Sequence, residues 1–198
     1  MKIILASQSA RRRDILENLG IKFDIKVSQV DESMDPSLSA GENVKAVSLR
    51  KAMAVEKELG VTAQDDVLII ASDTVVVCDG VILGKPRNKA HATEMMRMLS
   101  GRRHSVISGI AVIYRGKRIS SYEETEVEFR AISDAEIESY VSTDEPYDKA
   151  GGYGIQDKAA IFVRGIHGDY LNVVGLPVFR LFRILEEKLG ITYFGLTR

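Results

Sequence analysis

The amino-acid sequence, 198 residues long, predicts an α/β protein on three observations. Residues 68–77 form a run apolar on both faces, the pattern of a strand inside a covered sheet. Short apolar strands before and after it alternate with segments of helical periodicity that end on glycine. Residues 104–114 and 117–130 read as a long hairpin about Arg115-Gly116, and the second arm sets Thr125, Val127 and Phe129 against Glu124, Glu126 and Glu128. One face of that arm is therefore wet.

Composition bounds the function classes. With 45% hydrophobic and 28% charged residues, the chain has the make-up of an ordinary globular domain, long enough for a substantial core. One domain spanning 1–198, or two closely joined lobes, is the expected organisation. A formal net charge of −1 argues against broad nucleic-acid binding, which shows as a strongly basic chain. An anion site must then be a local concentration of Lys and Arg. The single Cys78 excludes an internal disulfide, and one Cys with three scattered His gives no zinc spacing. No run is long enough to span a membrane, and the first apolar strand is too short for a signal-peptide core. A cytoplasmic setting is expected.

In chain order, residues 2–6 read as a buried strand. Ser7-Gln8-Ser9 then leads into a helix through Leu19 with Gly20 as its stop. Ser9 is a suitable N-cap, and the N–H groups of the first turn favour an anion. Arg11, Arg12 and Arg13 in that turn oppose the helix dipole, a conflict that a bound polyphosphate would offset; the alternative is a solvated Arg cluster. Residues 22–27 suggest a second strand and 28–39 a polar loop holding Asp31-Glu32. Residues 42–59 form a long helix whose inner stripe carries Val44, Val47, Val55 and Leu59, with Lys51 on the same stripe. That Lys either snorkels or points its ammonium into a site.

The central strand holds Ser72, Asp73 and Thr74. A carboxylate there must meet a metal, a cation or several donors, although a structural Asp paired with a buried Lys would read the same. Asp79-Gly80 is a tight hairpin signal, and residues 81–83 pair back. Gly84-Lys85-Pro86 is no P-loop, because Gly80 and Gly84 are too close and Pro follows the Lys. Lys85 nonetheless ends a hairpin that begins beside Asp73.

Residues 89–99 give an amphipathic helix (Ala92, Met95, Met96, Leu99), and Ser133 with Glu136 forms a capping box for a helix through Val141. Residues 144–156 break the pattern. Gly151, Gly152 and Gly154 imply positive φ or close approach, and the interleaved Tyr147, Tyr153 and Ile155 speak against a mere surface loop. Residues 159–166 read as a strand, and Gly175-Leu176-Pro177 launches the last helix. No Gly-x-Gly-x-x-Gly follows a strand, so a dinucleotide cofactor is not expected.

Taken together, these segments resemble the Maf family of nucleoside triphosphate pyrophosphatases over nearly the whole chain. The likeness is carried by residues 5–12, Val30-Asp31-Glu32, Lys51-Ala52, Ala71-Ser72-Asp73-Thr74-Val75-Val76, Gly84-Lys85-Pro86 and Leu99-Ser100-Gly101. It continues through residues 148–156 (Asp-Lys-Ala-Gly-Gly-Tyr-Gly-Ile-Gln), Gly168-Asp169-Tyr170 and Val174-Gly175-Leu176-Pro177. The resemblance implies an elongated mixed sheet with flanking helices and two lobes around a cleft, similar to inosine triphosphatase. It implies hydrolysis of a nucleoside triphosphate to the monophosphate and pyrophosphate, helped by Mg²⁺ or Mn²⁺. Tyr-Gly-Ile-Gln is similar to the branch acting on dTTP and UTP, as against 7-methyl-GTP, and Arg11, Thr74 and Gln156 fall on its distinguishing positions. A homodimer is also implied.

From this follow Asp73 as general base or metal ligand, Glu32 as the second metal carboxylate, and Arg11, Arg12, Lys51 and Lys85 as phosphate-holding cations with Ser7 and Ser9 as donors. Gln156 can offer a donor and an acceptor to a pyrimidine edge. Two positions depart from the family pattern. Ala10 stands where Pro is usual, and Asp157 where Gly is common; the latter either disturbs the base pocket or faces solvent. A non-hydrolysing regulator of septum formation that binds nucleotide or DNA is the rival of another class, and clearance of deaminated purines the rival within it.

Overall fold

The computed structural model describes residues 1–197. Seven strands are described: β1 (Lys2–Leu5), β2 (Asp24–Ile25), β3 (Val67–Cys78), β4 (Val81–Leu83), β5 (Arg103–Tyr114), β6 (Lys117–Phe129) and β7 (Val163–His167). They form one sheet in the order β2-β1-β3-β5-β6-β7, with β4 paired to β3. The sheet is mixed: β1 runs parallel to β2 and β3, whereas the pairs β3–β4 and β6–β7 are antiparallel. The helices are α1 (Ala10–Asn18), α2 (Ala40–Leu59), α3 (Lys89–Leu99), α4 (Asp134–Val141), α5 (Tyr170–Val174), α6 (Val178–Leu189) and α7 (Tyr193–Leu196). The chain is thus α/β, as the sequence predicts.

Two compact units divide it. The first holds residues 1–73, 108–123 and the segment from Gly175 onward; the second holds 74–107 and 124–174. In the first, Val55 and Ala52 of α2 pack on Ile4 of β1, Ile69 and Ala71 of β3, and Ala111 and Ile113 of β5. α2 lies so close to β5 that a Cβ at Gly109 would collide with the backbone carbonyl of Val44. Only glycine fits there. Ser39 caps the N-terminus of α2 by accepting from the Glu42 N–H, and Gly60 closes the helix in the left-handed conformation. In the second unit, Met95, Met96 and Leu99 of α3 and Ile137, Tyr140 and Val141 of α4 join Val127 and Phe129 of β6 in a core with Tyr153 and Phe162. The Ser133–Glu136 capping box is formed. The β5–β6 turn has positive φ at Arg115 and Gly116, as does β3–β4 at Asp79 and Gly80.

The sequence expectations fail in places. The second strand is two residues long, not six. The strand expected over 159–166 is a 3₁₀ turn, Lys158–Phe162, followed by β7. Ser9 occupies the N-cap of α1, but its side chain makes no capping hydrogen bond. Gly168-Asp169-Tyr170 leads into the short helix α5, which the sequence does not announce.

Candidate functional site

β3 is buried along most of its length, with both faces covered, and Asp73 sits in its middle with a side chain only 13% exposed. One ammonium answers that carboxylate. Lys51 on the inner stripe of α2 donates from Nζ to Asp73 Oδ1 at 2.7 Å. The same Nζ lies 3.0 Å from Glu32 Oε2. Lys51 is 15% exposed and Glu32 60%, so the triad leads from a nearly buried carboxylate to one at the surface. A purely structural Asp–Lys pair would stop at Lys51. Here the chain of charges continues to an exposed carboxylate.

Glu32 is not held by its own loop sequence alone. The neighbouring Asp31 carboxylate accepts from the Ser33 backbone N–H at 2.8 Å and the Ser33 hydroxyl at 2.7 Å. Those hydrogen bonds hold the Asp31 carboxyl below its ordinary pKa. Arg50 donates to the Ser33 carbonyl at 2.7 Å, and buried Asn43 clamps Asp35 by accepting from its N–H at 2.7 Å and donating to its carbonyl at 2.9 Å. The loop is thereby fastened to α2, the helix that carries Lys51.

Arg12 is fixed from two directions. Its Nε donates to the Gly175 carbonyl at 2.8 Å and its Nη1 to the Ser7 hydroxyl at 3.1 Å. The buried Ser72 hydroxyl, one residue before Asp73, donates to the same Gly175 carbonyl at 3.1 Å. Burial is the largest influence on the guanidinium and lowers its pKa; Asp73 and Glu32 act the other way and Arg11 adds to the lowering. Arg12 remains a cation throughout the physiological range and shares the field of both carboxylates. Ser7 also accepts from the Ser9 N–H at 3.2 Å, which folds the turn ahead of α1. Against Asp73 and Glu32 this region sets Arg11, Arg12 and Lys51, an excess of one positive charge suited to a polyanion.

Of the sequence-predicted residues, Ser7, Ser9, Arg11, Arg12, Glu32, Lys51 and Asp73 thus all lie in the first unit. Thr74, Lys85 and Gln156 belong to the second unit. Thr74 follows Asp73 directly on β3. Lys85 is exposed beyond β4 and lines a hollow with Leu83, Arg87, His91 and Met95. Gln156 is exposed at the end of the glycine-rich segment. Sequence reasoning gave no role to the Gly175 carbonyl, whose only signal was its place in the Gly175-Leu176-Pro177 motif, nor to the Ser72 hydroxyl beside Asp73.

Among the described residues no group of three His, Cys, Asp or Glu side chains is placed to hold a metal by itself. Glu32 and Asp73, however, converge on one cation, the Lys51 ammonium. Two carboxylates of this kind are the oxygen-only donor set that Mg²⁺ accepts when water and phosphate complete its shell. The residues present fit such a group. No described helix is long and apolar enough to cross a membrane.

Residues 2–188 match the family model described as Maf-like protein. A dTTP/UTP pyrophosphatase of Bacillus anthracis is 46% identical over 186 residues, covering 94% of this chain and 95% of the relative. The protein of the same name from Bacillus mycoides (strain KBAB4) matches at 46% identity with the same coverage. The Staphylococcus aureus Ham1 protein aligns over 65% of this chain and 72% of its own, at 15% identity and a TM-score of 0.43, a likeness too slight to argue from.

Proposed function

The chain belongs to the Maf family, and from that premise we propose that it hydrolyses dTTP and UTP to the monophosphate and pyrophosphate, clearing these or modified pyrimidine nucleotides. The observation that carries this is the Asp73–Lys51–Glu32 triad beside Arg12, an acid–cation arrangement built around a nearly buried strand carboxylate. Relatives named dTTP/UTP pyrophosphatase at 46% identity support the substrate.

In this reaction water attacks the α-phosphorus, the bond from that phosphorus to the bridging oxygen breaks, and pyrophosphate leaves. Attack of this kind needs a positioned nucleophile and neutralised charge rather than a covalent intermediate. Asp73 is the base that takes the water's proton. Its Oδ1 is held by Lys51, which fixes the carboxylate's orientation. Arg12, locked by Ser7 and Gly175, presents a preset guanidinium to phosphate oxygens. Arg11, Ser7 and Ser9 complete the grip, and Lys51 exchanges part of its contact with Glu32 for phosphate. Thr74, Lys85 and Gln156 are substrate-binding residues, with Gln156 meeting the pyrimidine edge. Glu32 and Asp73 would hold Mg²⁺ or Mn²⁺, which when bound neutralises phosphate charge and lowers the pKa of a bound water. A cytoplasmic location and a homodimer of one-domain, two-lobed chains complete the proposal.

Asp73→Asn, which keeps shape and removes the charge, should abolish turnover while the fold stays intact. The test is pyrophosphate release from dTTP, UTP, ITP and 7-methyl-GTP side by side. Near-normal dTTP hydrolysis by the variant refutes the role of Asp73. A wild-type protein that binds dTTP without releasing pyrophosphate supports the regulator instead, and a preference for ITP supports purine clearance.

A further inference from the structure

Asp157 is half-exposed but is held from one side. Its Oδ2 lies 3.5 Å from Lys149 Nζ. Lys149 is an unusual cation, with its side chain only 9% exposed. It also donates to the Glu145 carbonyl and to Asp148 Oδ1, both at 2.7 Å. The aliphatic stem of Lys149 runs under Gly154, where an added Cβ would stand 2.8 Å from its Cε and would also strike Asp157 Oδ2. Gly154 therefore lets the segment fold down onto the Lys149–Asp157 pair.

The rest of the segment is fixed just as locally. Upstream, the Tyr153 hydroxyl and His104 Nε2 share a hydrogen bond of 2.7 Å in a buried aromatic nest with Phe129. Burial keeps that imidazole neutral by pushing its pKa down to about 4. Downstream, the Glu145 carboxylate accepts from the backbone N–H groups of Lys158 and Ala159 at 3.2 and 3.3 Å. Gln156 alone among its immediate upstream neighbours is exposed, since Tyr153, Gly154 and Ile155 are all buried. The anchors on both sides fix the backbone from which this exposed amide projects.

We propose that Asp157, through its ion pair with Lys149, and Tyr153, through its hydrogen bond with His104, are positioning residues that aim Gln156 and so set the choice of base. This rests on Gln156 meeting the base, as proposed above. An amide that pairs with a base edge must align a donor and an acceptor together, so a small tilt removes discrimination while phosphate contacts persist. Loosening the anchor should therefore change selectivity and KM more than kcat.

The experiment measures kcat and KM for dTTP and ITP, with melting temperature, in the full-length protein and in Gln156→Ala, Asp157→Asn, Asp157→Gly and Tyr153→Phe. In Asp157→Asn and Asp157→Gly the dTTP:ITP ratio of kcat/KM should fall roughly fivefold, the scale of a partly exposed ion pair. The fall should come mainly from KM for dTTP, with kcat and melting temperature nearly unchanged. Tyr153→Phe keeps the ring in its nest and should lower the same ratio. If Gln156→Ala lowers the ratio and the Asp157 and Tyr153 variants do not, the positioning role is overturned and the base contact stands. If Gln156→Ala leaves the ratio unchanged, the base contact itself is wrong. If Asp157→Gly melts early, Asp157→Asn decides, because it removes the charge and keeps the side-chain shape.

Discussion

Replacing Lys51 by Met gives the sharpest test of the triad. Methionine keeps the apolar stem against α2's inner stripe and deletes the ammonium. Asp73, 13% exposed, is then a carboxylate on a covered strand without its cation. Breaking a buried pair from one side costs about 3–5 kcal/mol. Because Lys51 and Asp73 keep a little solvent contact, the low end, about 3 kcal/mol, is the expected loss. For a chain of this size that is a fall in Tm of roughly 6–12 °C, at about 2–4 °C per kcal/mol. The double variant Lys51→Met/Asp73→Asn has no stranded charge and should regain about 2 kcal/mol of the loss. Thermal and urea unfolding of the wild type, both single variants and the double variant form the cycle. A Lys51→Met protein melting within about 1 °C of wild type, or a double variant no more stable than Lys51→Met, would refute the pair as a determinant of the strand's stability.

Two further outcomes test the second unit and the sheet. His104 is held neutral by burial with its pKa moved from 6.5 to about 4, so the unfolded chain binds a proton in this window that the folded one does not. The stability it confers is complete above pH 6.5 and is lost as pH falls through about 4, by about 3 kcal/mol at 1.36 kcal/mol per pH unit. Urea unfolding against pH should show that slope, and His104→Gln should flatten it. Gly109→Ala should destabilise by several kcal/mol or prevent folding, since the new methyl group meets the Val44 carbonyl of α2. Soluble protein with wild-type Tm would show that α2 can shift away from β5.

How much of this was legible in the chain depended on whether the governing contact was local. The caps of α2 and α4, the two hairpin turns with positive φ and the two-sided burial of β3 follow from residues a few positions apart, and each is formed. Gly151 and Gly152 do adopt positive φ, whereas Gly154 is required by the Lys149 stem beneath it. Residues 158–162 have the composition of a strand but turn instead. A carboxylate from Glu145, thirteen and fourteen positions earlier, takes the Lys158 and Ala159 N–H groups that a ladder would have used, and no periodicity signals that. Lys51 was visible as a cation on an apolar stripe and does reach Asp73. The Gly175 carbonyl was not visible, because its partners Arg12 and Ser72 lie 163 and 103 positions away. Ser9 has the identity of a cap but not the bond, because the turn closes through the Ser7 hydroxyl instead.

The Arg12–Gly175 hydrogen bond spans 163 positions. A nascent chain that has emerged as far as β5 already contains Asp73, Lys51 and Glu32, yet Arg12 still lacks the carbonyl that orients it. Synthesis must pass Gly175 before this guanidinium is seated, so products that stop short of it, even folded ones, would carry a grip with one finger loose.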